Sequence, residues 1–496
     1  MFGPPLAADH REARSSAHGK GTLLKFRKTI TATALSAVAL GTALTLGLAE
    51  DGTPSPTPSP STPKLNGTWQ TDGYGTVLAL KAGGLTEYQV TGIGCIKGAS
   101  AGRTGPAAGP ARFTAQDGEV YTIRPAKDPD RAELRSAGSP GDRNLRRLPA
   151  LPASCTRQIP KDPRSTFDVF WQTFDENYPF FKAKGIDWDA ARTRYRPQVH
   201  TRTTGKELFA VFRKMLAPLH DAHVSVRAGR TGFYAGIRPG TELPTPDLDR
   251  RAVSLIRKHD LKGARLQQFA QGRIGYADLP GGQGYLRLSG FSGYTRSGTY
   301  AAERRALDKA LDTVLTPERT SKLRGLTIDL RINGGGSDLL GLRLASRLTD
   351  RPYTAYAKRV RNDPADPGGF TRPQRQTVRP ASGRTRYTGP TAVLTSGSTF
   401  SAGETFTQAL IERPGRTVRI GQPTQGVFSD VMDRELPNGW QVGLPNEEFL
   451  TRSGRTFDGP GIPPQVKEPV FTKEEFAGNR DSAFDRAADW LRAAKP

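Results

Sequence analysis

From residue 284 onward, short apolar runs alternate with amphipathic segments, and this alternation restricts the fold more than any other feature of the chain. GYLRLSGF reads as a strand, TYAAERRALDKALDTVL as a helix and GLTIDLRI as a buried strand. DLLGLRLASRLT follows as a helix, TAVLTSG as another apolar strand and SAGETFTQALIE as a helix. Strands spaced by helices imply βαβ units and a mostly parallel sheet. The segment 284–472 is therefore expected to be an α/β core, closed by one amphipathic helix over 473–496. Between Val360 and Thr388 a polar stretch rich in Pro and Gly reads as a mobile loop over one edge. VFSDVMDREL and WQVGLP, joined by PNG, read as a hairpin.

Upstream the patterns change. Phe167, Phe170, Trp171 and Phe174, then Leu208, Val211, Phe212, Met215 and Leu216, recur at helical spacing. They mark a helical subdomain over 159–226, whose HVSV begins a strand. The connecting segment 227–283 reads as a single helix with loops. Residues 64–158 are rich in Gly; GTWQTDGYGTVLALKAGG, LTEYQVTGIGC and GEVYTIRP suggest a small all-β domain. Lys20, Lys25, Arg27 and Lys28 precede ITATALSAVALGTALTLGLA, the layout of a secretory signal over 1–49 and hence of an exported protein. An uncleaved anchor is the alternative reading. DGTPSPTPSPSTP, within 50–63, is a semi-extended tether.

The formal net charge of +24 raises the question of nucleic acid or anionic membrane. The arginines are spread from Arg11 to Arg492, and neither zinc-finger spacing nor an RNP-like motif occurs, so the charge reads as a solvated basic surface. No nucleic-acid partner and no stable membrane contact beyond an uncleaved anchor are expected. The only two cysteines, Cys95 and Cys155, are a candidate disulfide in an exported chain, with two buried free thiols as the alternative.

Two strand–turn–helix junctions carry the chemistry: DLRINGGGSD and TSGSTFSAGE. In parallel sheets, sites collect where strand ends meet helix starts. Three glycines let backbone N–H groups point outward as donors for an oxyanion or phosphate. Neither the Walker pattern nor Gly-x-Gly-x-x-Gly fits this turn, and TFSAG lacks the first glycine of Gly-x-Ser-x-Gly. Ser401-x-x-Glu404 is also a capping box, which by itself explains a serine at a helix start.

LTIDLRINGGG, TFSAGETF, IGQPTQG, LPNGWQVGL and DGPGIPPQV occur in the order and spacing of the tail-specific (C-terminal processing) protease family. ENYPFFKAKGIDWD and LHDAHVSV resemble its tricorn-core and interphotoreceptor retinoid-binding-like branch. The resemblance implies a crotonase/ClpP-like core with a helical cap. It implies Ser401 as nucleophile, with the N–H groups of Gly335 and Ala402 as oxyanion hole. The lysine base of one branch has no counterpart, since Val427 stands at its place. The tricorn-like branch takes its base from a histidine, matched by His223, and orients it through a glutamate, matched here by Asp458. Ala222 stands where that branch has a supporting serine. Only about 55 residues separate HVSV from GYLRL, too few for the PDZ domain of many members.

These residues lead to an exported serine endopeptidase acting on polypeptides, without metal or cofactor. His220 and His223 in HDAH lack a third ligand at an informative spacing. A catalytically weak or inactive protein on the same fold that binds an apolar ligand or a peptide is the alternative, and a polyanion binder is a third reading.

Overall fold

Exposed and buried side chains alternate strictly along Arg131–Ser136, the period of a strand with one wet face. The structure is a computed structural model that describes residues 65–105 and 110–494; the expected signal and tether lie outside the described residues. Eight strands make the first domain: β1 (Gly67–Thr71), β2 (Thr76–Lys81), β3 (Gly84–Thr91), β4 (Gly94–Thr104), β5 (Ala111–Ala115), β6 (Val120–Pro125), β7 (Arg131–Ser136) and β8 (Arg143–Leu148). Each pairs antiparallel with the next, and β8 returns to β1 with Leu148 opposite Thr68, closing a barrel. Closure removes the free edges of so short a sheet. Trp69, Leu78, Phe113, Ile123 and Leu145 fill the interior. Cys95 in β4 is disulfide-bonded to Cys155, just beyond the barrel.

Helices α1 (Pro163–Asn177), α2 (Trp188–Tyr195) and α3 (Gly205–Leu216) follow. Asp162 caps α1 by accepting the N–H groups of Arg164 and Ser165, with Pro163 in the first turn. Thr204 and Glu207 form a capping box on α3. Phe170 stacks on Phe212 with centroids 3.8 Å apart, so the aromatic stripe is a core. The chain then turns through a left-handed His220 into β9 (Ser225–Arg227).

The connecting segment is more structured than one helix with loops. It holds β10 (Phe233–Ala235), α4 (Pro246–Leu255), β11 (Gln267–Phe269) and β12 (Ile274–Leu279). The last two extend the main sheet antiparallel, as β11–β12–β13, where β13 is Gln283–Leu288. Next come α5 (Tyr300–Val314), α6 (Pro317–Lys322), β14 (Gly325–Asp329), α7 (Asp338–Ala345), β15 (Tyr353–Val360), β16 (Gln374–Val378) and β17 (Thr391–Thr395). Then follow α8 (Ala402–Ile411), β18 (Thr417–Gly421), β19 (Val431–Glu435), β20 (Gln441–Pro445), β21 (Glu447–Leu450), β22 (Val466–Lys467), α9 (Lys473–Gly478) and α10 (Ser482–Ala493).

The seven-stranded sheet runs β11-β12-β13-β14-β17-β18-β22, parallel from β13 onward. Every residue of β14 and β17 is buried, as expected for strands covered on both faces. Leu307, Leu344 and Phe406 from α5, α7 and α8 pack with Ile328 and Val393. Phe484, Ala487 and Leu491 of α10 pack with Tyr285, Ala392 and Leu394. The expected loop over 360–388 contains β16, which pairs with β15. The single C-terminal helix is two, broken at Asn479 (φ 48°), with Asp481 capping α10.

Candidate active site

Strands β14 and β17 are neighbours, so the two turns that follow them meet side by side. Asn333 N–H donates to Ser398 O (3.1 Å) and Phe400 N–H to Asn333 O (2.9 Å). The hydroxyls of Ser396 and Thr399 donate to the Arg331 and Leu330 carbonyls (2.5 and 2.8 Å). Arg331 is fully buried and spans Asp329 and Asp481, tying the first turn to the start of α10.

Gly335 (φ 80°) and Gly336 (φ 131°) adopt backbone conformations that a side chain would strain. Gly335 also lies against the candidate nucleophile: a Cβ placed there would be 2.7 Å from Ser401 Cβ and 3.2 Å from its Oγ. Ser401 itself has φ 49° and ψ −118°, a costly backbone for a non-glycine residue. Its N–H is held by Val427 O and by Glu404 Oε2, both at 3.1 Å. Glu404 further accepts the N–H groups of Gly426 (2.6 Å) and Val427 (2.9 Å). Burial pushes its carboxyl up to about 7, with those hydrogen bonds opposing the shift. The capping arrangement therefore exists, and it fixes the strained serine rather than replacing it. Ala402 begins α8, so its N–H has no acceptor within the helix. The N–H of Gly335 differs from the expectation of a free donor, because it donates to Asn333 Oδ1 at 3.0 Å.

His223 follows the turn after α3, its N–H donating to Asp221 Oδ1 (2.9 Å). Its Nδ1 is buried without a hydrogen-bond partner among the described residues. Burial lowers its pKa, while the charges of Asp221 and Asp430 and the Ser429 backbone oppose that shift. Asp458 accepts Phe428 N–H (3.2 Å) and the Thr456 hydroxyl (2.6 Å). Burial raises its carboxyl well above the usual carboxylate range, and it makes no hydrogen bond to His223. Nor do Ser401 Oγ and His223 form one.

One strip of chain gathers all three residues. Val427 meets Ser401, Phe428 meets Asp458, and Ser429 meets His223. Val427 and Ser429 lie two residues apart, at most about 7 Å of chain. The sequence reading missed Asp221 and Asp430 beside His223, since nothing local in SDVMD or LHDAH says which carboxylate the fold brings to the ring. Lys358 is engaged with Glu447 and Ser139 rather than with Ser401. Burial opposes its charge, but Glu447 (3.1 Å) outweighs this and holds the ammonium well above its ordinary value. No group of three or more potential metal ligands occurs among the described residues.

Comparison with known proteins bears on this geometry. Residues 282–468 match the family model described as Peptidase family S41, and residues 159–217 match that of the Tricorn protease C1 domain. The chain belongs to the tail-specific (S41) protease family. Its class is therefore that of a serine-type peptidase. A putative peptidase from Parabacteroides merdae superposes with a TM-score of 0.56 at 26% identity, over 68% of this chain and 99% of that one. A photosystem II D1 C-terminal processing protease is more distant, with a TM-score of 0.36 and 16% identity over 62% of this chain and 94% of the other. Mature CPAF complexed with lactacystin has a TM-score of 0.47 and 13% identity over 67% and 97%. Curated proteins yield no match. The S41 match includes Gly335, Ser401, Ala402 and Asp458, whereas His223 falls between the two matched stretches.

Proposed function

We propose that this S41 chain is an exported endopeptidase whose nucleophile is Ser401 and whose general base is His223. The observation that carries the reading is Ser401 itself. It is partly exposed, held in a strained turn between strand and helix, packed against Gly335 and followed by the first N–H of α8. Such a turn presents a hydroxyl to substrate. Ser401 Oγ attacks the scissile carbonyl as its proton passes to His223, which burial keeps neutral and able to accept it. The resulting oxyanion is held by Ala402 N–H at the start of α8, and by Gly335 N–H once it leaves Asn333. His223 then gives the proton to the departing amine, and water releases the acyl group by the reverse relay.

Asp458 supports His223 in this scheme through the Phe428–Ser429 main chain that it anchors, while Asp221 and Asp430 supply the charge nearest the ring. The helix-covered sheet is assigned to the crotonase/ClpP-like class, with α1–α3 as its cap. The apolar-ligand alternative gains no support from the cavity that adjoins the site, which is lined mainly by polar groups. The test is hydrolysis of an unfolded polypeptide by the purified chain. Wild type should generate new N-termini, and Ser401→Ala should slow this by at least about a thousand-fold. Equal cleavage by both would overturn the assignment.

A further inference from the structure

A cavity of about 650 Å³ lies between the barrel and the core, and the catalytic scheme above does not use it. One end is formed by Gly336 and Ser337, directly after the Gly335 that packs on Ser401, and by Asp430 beside His223. The other walls come from barrel strands β2–β4, from the β5–β6 and β7–β8 connections, and from the β19–β20 hairpin. The barrel is fastened at this point. Ser337 Oγ donates to Gly138 O (2.6 Å), and Ser139 Oγ to Asp430 Oδ2 (2.5 Å). The cavity therefore adjoins the candidate active site through Gly336 and Asp430, and the barrel supplies much of its wall.

Its charge is opposite to that of the chain. Glu87, Asp117, Glu119, Asp430, Asp433 and Glu435 line it, against Arg143 and Arg434 on the lining and Arg227, which pairs with Asp433 at 2.9 Å, in a protein of formal net charge +24. Arg434 is already spent on the Tyr74 carbonyl, on Thr76 and on Glu87. Arg143 lies over the Tyr74 ring. A concave surface of one sign focuses its field and concentrates the opposite charge.

A second, independent feature points to a ligand. Asn446 is 1% exposed and lines the cavity, yet neither its Oδ1 nor its Nδ2 has a partner among the described residues. Ser136, 6% exposed and on the same lining, has a hydroxyl without a partner among the described residues. Buried polar groups of this kind are normally satisfied. A carboxamide with both its donor and its acceptor unused matches a peptide unit, which offers one N–H and one C=O.

We propose that this cleft is the substrate groove, that it takes an extended peptide segment with a Lys or Arg side chain, and that Asp117 and Glu119 of the barrel select that side chain. Asn446 bonds the peptide main chain, and the segment leads past Gly336 to Ser401. The inference rests on the peptidase reading for what happens next, but not for the binding itself.

The test uses the full chain as Ser401→Ala and fluorophore-labelled unstructured peptides that differ only in Lys or Gln at one position, read by fluorescence anisotropy. The Lys peptide should bind at least about ten-fold tighter than its Gln twin, and the gap should shrink as salt rises. In Asp117→Asn/Glu119→Gln, two exposed positions whose exchange leaves the barrel interior intact, the gap should close to about two-fold. Asn446→Ala should weaken both peptides alike. Equal binding of the twins, or a preference that survives the double exchange, overturns the groove. Fluorophosphonate labelling of wild type, run alongside, separates the two claims. A labelled Ser401 without lysine preference sinks the groove alone; lysine preference without labelling sinks the peptidase reading alone.

Discussion

Replacing Gly335 by alanine should disable the enzyme without unfolding it. The residue has φ 80°, a left-handed backbone that costs an alanine roughly 1–2 kcal/mol. The new methyl would sit 2.7 Å from Ser401 Cβ, whereas carbon atoms rest about 3.5–4.0 Å apart, so the two must separate by about 1 Å. The Gly335 turn is sewn to Phe291 and Asn333, and Ser401 is fixed by Val427 and Glu404. Whichever side yields, Ser401 and the proposed oxyanion donors part company. A displacement of that size costs about 10²-fold in rate, while strain and overlap together destabilise the fold by about 2–4 kcal/mol. Gly334→Ala is the matched control, since its nearest neighbour would be Pro244 Cγ at an ordinary 3.6 Å. The assay is the second-order rate of fluorophosphonate labelling, with thermal melting of both variants. Labelling of Gly335→Ala at the wild-type rate, or equal losses in both variants, would refute the reasoning.

His223→Ala should lower kcat by about 10²–10⁴-fold. Because burial lowers the histidine pKa, the acid limb of kcat/KM should fall below the ordinary value near 6.5; a limb above it contradicts the burial argument. Glu404 is raised from 4.5 to about 7 in the fold. Its contribution to stability is thus full below pH 4.5 and is lost as pH rises through about 7, so wild type should lose about 3 kcal/mol relative to Glu404→Gln across that window. Parallel urea-melt stabilities of the two proteins would count against it. Removing the disulfide as Cys95→Ser/Cys155→Ser opens a separation of 60 residues and should cost about 4 kcal/mol, read as an earlier melt; an unchanged melt denies the barrel its staple.

The sequence was most legible where the cause of structure is local. A run of glycines before Ser337, and Ser-x-x-Glu at the start of α8, announce two turns because backbone freedom and capping act over a few residues. The uninterrupted apolar runs of β14 and β17 announce strands buried on both faces. Strand β16 was hidden because QRQTV alternates partly exposed positions and pairs only along β15. The closure of β8 on β1 is a long-range pairing with no local mark. The break between α9 and α10 did have one, since Gly478-Asn479 is a helix stop and Asp481 a helix start. At the site, Ser401 and the glycine turn were readable as a pair of junctions. The strip from Val427 to Asp430, which brings His223 and Asp458 into the same neighbourhood, was not, because its path is set by tertiary packing. The bond from Gly335 N–H to the Asn333 side chain likewise depends on the rotamer that Leu288 O selects.

The central claim is that Ser401 is a nucleophile activated by His223. Its most direct test is treatment of the purified chain with a fluorophosphonate, with peptide mass spectrometry to locate the adduct in wild type, Ser401→Ala and His223→Ala. The account predicts a single adduct on Ser401 in wild type and none in either variant. No adduct on folded wild type, or an adduct on Ser401 that persists unchanged without His223, would contradict it.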